Sequence, residues 1–207
     1  MSLDGRLVGL DDYEYSDYYE PLLDATRKAL AENGIQGELA LGSAGQDFKM
    51  EIGKGSDLQL FRSYAAYVSV HNEPPDEPDL SIINHELNEM IQGRLGYGAF
   101  PQLINHSDSN GFYVPLNFEK PFTFDAPSFG GDSTWKCDIG SSQALLRELD
   151  ELNKYMKVPG DVGQLNGSAM VEQEVKGDAF EKEKMVWAVM HWLARESAQR
   201  NLLFEFC

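Results

Sequence analysis

Gly140-Ser141-Ser142-Gln143-Ala144-Leu145-Leu146-Arg147-Glu148-Leu149-Asp150-Glu151-Leu152-Asn153-Lys154-Tyr155 is the most regular stretch of the chain. Leu145, Leu146, Leu149, Leu152 and Tyr155 recur at helical spacing. They predict a buried stripe, with Arg147, Glu148, Asp150 and Glu151 on the wet side. A serine at 141 or 142 can cap the start, and Pro159-Gly160 stops the helix. The residues before it have a different character. From Gly96 to Ile139 the chain is rich in Gly, Pro, Thr and aromatics, so Leu103-Ile104-Asn105-His106 and Gly111-Phe112-Tyr113-Val114-Pro115-Leu116 read as strands. Between them, Ser107-Asp108-Ser109-Asn110 reads as a loop, with Asn110-Gly111 as a tight-turn signal.

Outward from this core the pattern is mixed. Helices are expected at about 19–33, from Ser56 or Asp57 to before Pro74-Pro75, at about 80–92 and at about 178–199. The last is apolar nearly all round from Met185 to Met190, as a helix buried on most sides must be. Strands are expected within 37–53 and at Leu202-Leu203-Phe204-Glu205-Phe206, and a long loop or loose hairpin over 160–177. The fold class is therefore α+β, a single domain over 1–207. It has about five helices and a small, mostly antiparallel sheet built from 37–53, 103–116 and the terminal strand.

Charge narrows the function. Asp plus Glu is 34 against 17 for Lys plus Arg, giving −17, which is the wrong sign for wrapping a phosphate backbone or an anionic membrane. Residues 4–20 hold six acids against Arg6 alone, together with Tyr13, Tyr15, Tyr18 and Tyr19. Residues 73–89 hold six acids and no base. The first window belongs to an acidic, Tyr-rich N-terminal segment, 1–18, read as solvated, in which Met1-Ser2-Leu3 is set aside as a cloning remnant. The second includes an exposed Pro-rich loop, 72–79. No apolar run approaches the ~20 residues of a membrane span, so the cytoplasm is the expected location.

Motifs for chemistry are incomplete. His85-Glu86-Leu87-Asn88-Glu89 begins like a zinc helix but carries Glu89 at the second histidine position. His106 to Gly111 follows a calcium loop but has His106 and Asn117 where carboxylates are required, so neither metal nor cofactor is expected. Ser43, Ser141 and Ser168 lack the strand-turn-helix setting of a nucleophile. Cys137 and Cys207 form no metal-binding pair, and Gly53-Lys54-Gly55-Ser56 lacks the order of a phosphate loop. The strongest local candidate for ligand binding is Asn105, His106, Asp108 and Asn110, with Ser141 nearby in function.

The segment Ile104-Asn105-His106-Ser107-Asp108-Ser109-Asn110-Gly111-Phe112-Tyr113-Val114-Pro115, followed by the Gly140-Ser141-Ser142 helix, resembles a group of uncharacterised bacterial proteins. Those carry H-S-D-C-D-G-(F/Y)-Y-x-P and then a G-S-S helix. Ser109 and Asn110 stand here where the group has Cys and Asp, and the resemblance implies no reaction. Two functions follow from the residues. The first is an acidic binding or inhibitory protein, of the immunity type, for a basic protein partner with no nucleic acid and no membrane involved. The alternative is a hydrolase-like enzyme centred on His106, Asp108 and Ser141.

Overall fold

The computed structural model describes residues 2–10, 16–45, 48–78, 81–96, 98–128, 133–159 and 168–207, with the backbone alone at 16–19, 48 and 168–171. In chain order the elements are β1 (Ser2–Val8), α1 (Ser16–Glu32), β2 (Phe48–Lys54), α2 (Gly55–His71), α3 (His85–Ile91), α4 (Pro101–Asn105), β3 (Gly111–Val114), β4 (Phe122–Pro127), β5 (Thr134–Ser141), α5 (Ser142–Met156), α6 (Ser168–Val175), α7 (Glu181–Arg200) and β6 (Leu203–Phe206). One six-stranded sheet runs in the order β2-β1-β6-β3-β5-β4. Every pair is antiparallel except β3 with β5. The α+β class and the mostly antiparallel pairing hold, but the sheet is larger than the sequence suggests.

Strand alternation divides the core in two. Leu7, Tyr113 and Phe204 face one cluster with α2, α3, α4, α5 and α7, while their neighbours Val8, Phe112, Val114 and Leu203 face another with α1. The sheet is thus a middle layer with α1 on one face and most helices on the other. Of the acids in the first window, Asp11, Asp12, Glu14 and the side chain of Asp17 lie outside the described residues, while α1, which carries Glu20, and α3, which carries Glu86 and Glu89, lie on opposite faces of the sheet. The tyrosine side chains at 13, 15, 18 and 19 lie outside the described residues.

Several local expectations are corrected. Ser2 and Leu3, set aside in the sequence analysis, take part in the sheet: they pair with Lys54 and Gly53, and β1 is an interior strand between β2 and β6. The 39–41 segment forms no strand, although Leu39 and Leu41 are buried under α1. The strand expected at Leu103 to His106 is absent, since Pro101–Asn105 is helical, and β3 pairs with β5 and β6 instead of making a hairpin. Part of the expected 160–177 loop is α6. Glu148 is buried, against its expected place on the wet face of α5.

Candidate functional site

The loop at 105–110 is built around the short helix α4. Pro101 stands in its first turn, where a missing N–H costs nothing. Two carboxylate oxygens of Glu148, reaching from α5, accept from Gln102 N at 2.9 Å and Leu103 N at 3.0 Å. At the other end, buried Arg62 from α2 donates through Nε to Leu103 O at 2.9 Å and through Nη2 to His106 O at 2.6 Å. Gln102 ties the same turn to the sheet, donating to Phe118 O and accepting from Ser141 N. An acid satisfies one end of the helix and a guanidinium the other.

Each residue singled out in the sequence has a partner in this lock. His106 is 2% exposed and stacks on Tyr113, ring centroids 4.0 Å apart. Its Nε2 lies 3.1 Å from Phe112 O and its Nδ1 2.6 Å from Ser107 O. Those two carbonyls favour a doubly protonated ring, but burial outweighs them and pushes the pKa down to about 4. Gly140 passes so close that an added Cβ would stand 2.3 Å from the Tyr113 ring and 2.8 Å from His106. Asp108 accepts from Gln59 Nε2 at 3.1 Å and lies 3.8 Å from Arg62 Nη1. Asn105 Nδ2 donates to Pro101 O, and Asn110 N donates to Ser107 Oγ.

Ser141 is the N-cap of α5, its Oγ accepting from Ala144 N at 2.9 Å while donating to Leu116 O at 2.5 Å. The residue is fully buried and its hydroxyl is used by these two partners, which gives it a structural role. Ser141→Ala is expected to lower stability by about 1–2 kcal/mol, read by urea denaturation. A loss below ~0.3 kcal/mol would show that the cap is dispensable. At the start of α2 it is Asp57 Oδ2 that accepts from Lys54 N at 2.9 Å.

A second locus was only half legible. Between α2, the 72–84 connection, α3 and the start of α7 lies a cavity of about 450 Å³. Tyr64, Tyr67 and Phe180 form its aromatic wall, with Tyr64 and Phe180 edge to face at 5.2 Å. Asp76, Glu77, Glu86 and Glu183 bring carboxylates to it. The acids at 76, 77 and 86 were read from charge, whereas the aromatics and Glu183 come from distant segments. The available signal was Glu183 itself, a charge near the start of a largely buried helix. Among the described residues no group of three or more His, Cys, Asp or Glu could hold a metal ion, and no helix is long and apolar enough to cross a membrane.

Fold and surface together define an acidic α+β protein with much of its carboxylate surface left to solvent. Over residues 6–206 the chain belongs to the family described as "Putative DNA-mimic protein". No curated protein and no solved structure matches it. The membership agrees with an acidic binding protein. It corrects the expected partner, because the sequence reading set nucleic acid aside entirely, whereas a family of DNA mimics brings it in as the ligand imitated. The sign argument that excluded binding DNA holds equally well for replacing it.

Proposed function

We propose that this chain is an inhibitory protein of the immunity type that occupies the nucleic-acid-binding surface of a basic protein. The observation supporting this most directly is its membership of the DNA-mimic family, joined to the exposed acids Glu73, Asp76 and Glu77 in a window without a single base. A DNA-binding surface gathers Lys and Arg against a duplex carrying about one charge per 1.7 Å of axis. Carboxylates fixed on a folded surface offer the same cations a ligand that accepts hydrogen bonds in pairs. The six-stranded sheet and the locked α4 supply rigidity, so little ordering is needed on contact.

The test is capture from a cell extract on the immobilised chain, followed by competition. Proteins retained at low salt should be DNA-binding proteins, and duplex DNA should displace them. Raising salt from about 50 to 300 mM should weaken binding at least ~10-fold, because opposed charge patches act over the ~10 Å screening length. Retained proteins that duplex DNA fails to displace, or binding indifferent to salt, would overturn the reading.

A further inference from the structure

The cavity between α2, α3 and α7 differs from the rest of the acidic surface in three respects. It is concave and has an aromatic wall, so a planar cation can lie on the ring faces while carboxylates meet its edge. It contains Glu183, only 5% exposed, which forms no ion pair among the described residues and bonds its own backbone N–H. A buried carboxylate without a cation is costly, and a guanidinium arriving from outside relieves that cost. The surroundings are also those of an interface. Val70 near the end of α2, and Ile82, Ile83, Ile91 and Leu95 before, within and just after α3, are large apolar residues 44–58% exposed on the elements that line it.

The rim is held in place. Ser63 Oγ donates to Ile82 O at 3.2 Å and accepts from Asn84 N at 3.1 Å, while Asn84 Nδ2 donates to Ser63 O at 2.9 Å. Asn84 Oδ1 also caps α3 by accepting from Leu87 N. The exposed isoleucines are therefore presented by a pinned turn beside the opening. Exposed apolar residues around a pocket of opposite charge are the arrangement expected where one buried anchor residue is ringed by contacts that exclude water.

We propose, building on the DNA-mimic reading, that this cavity receives an arginine side chain of the partner. The guanidinium lies against the wall made by Tyr64, Tyr67 and Phe180, stacking on one ring face, forms hydrogen bonds to Glu77 and Glu86, and pairs with Glu183. The apolar residues 82, 83 and 91 close over the contact. Arginine is favoured over lysine because a flat fork can use ring faces and paired carboxylates together.

The test uses the full chain and a hexa-arginine amide as probe, followed by NMR and calorimetry. The ring resonances of Tyr64, Tyr67 and Phe180 should shift on titration. Glu77→Gln combined with Glu86→Gln should raise Kd at least ~5-fold, whereas Asp150→Asn combined with Glu151→Gln, at exposed positions of α5, should change it less than ~2-fold. Glu86 also faces His71 Nε2 at 3.0 Å, so Glu77→Gln alone, at an exposed position, checks that any loss does not come from unfolding. Equal weakening by both pairs, or unmoved ring resonances, would overturn the pocket, even if DNA still displaces a captured partner. Hexalysine binding as tightly as hexa-arginine would overturn the arginine assignment. If the arginine probe binds as expected but DNA displaces nothing in the capture experiment, the pocket stands and the mimicry reading alone is lost.

Discussion

Arg62→Ala should cost about 3–5 kcal/mol of folding stability, the range for removing one partner of a buried charged network. The guanidinium is almost wholly buried, and desolvation lowers its pKa despite Asp108 nearby. It remains charged because its donors are used by Leu103 O and His106 O, the carbonyls at the end of α4. Alanine leaves both carbonyls unpaired in a dry site and opens a cavity beside the His106 and Tyr113 stack. Arg62→Lys keeps the charge but cannot span both carbonyls, so an intermediate loss is expected. Urea denaturation followed by circular dichroism decides it. A loss under about 1 kcal/mol for alanine would mean that α4 holds its place without the clamp.

Glu148→Ala should cost about 2–4 kcal/mol, since Gln102 N and Leu103 N then lose their acceptors under α5. This residue also sets a pH dependence. Burial pushes its pKa up to about 8 from 4.5, against the two N–H donors, which favour the ionised form. A raised folded pKa means that the stabilising contribution is complete below about 4.5 and lost as pH rises through about 8. The His106 shift runs the other way, with stability present above 6.5 and lost as pH falls through about 4. Between about pH 6.5 and 8, where the His106 contribution is already constant, wild-type stability should therefore decline, and Glu148→Gln should flatten that decline. Parallel curves for the two proteins would refute the assignment of the slope to Glu148.

What the sequence determined by itself is what local pattern controls. The leucine spacing of 145–152, the helix expected at about 19–33 and the apolar run from Met185 to Met190 correspond to α5, α1 and α7, because periodic burial acts within a few turns. Ser141 was legible as a cap for the same reason. The acidic character followed from composition, since net charge does not depend on the fold.

Only the tertiary structure decided the rest. Leu103-Ile104-Asn105 has the composition of a strand but is a helix, because Glu148 and Arg62, 45 and 41 positions away from Leu103 in sequence, satisfy its two ends. Ser2-Leu3 looked dispensable and became part of an interior strand, because its partners Lys54 and Gly53 are supplied from another segment. Glu148 and Glu183 look like surface residues in a one-dimensional pattern, and they are buried by contacts made across the fold. The aromatic and acidic cavity was hidden for the same reason. Tyr64, Glu77, Glu86 and Phe180 are far apart along the chain and meet only when α2, α3 and the start of α7 pack, and no local periodicity encodes where a loop will bring its charge.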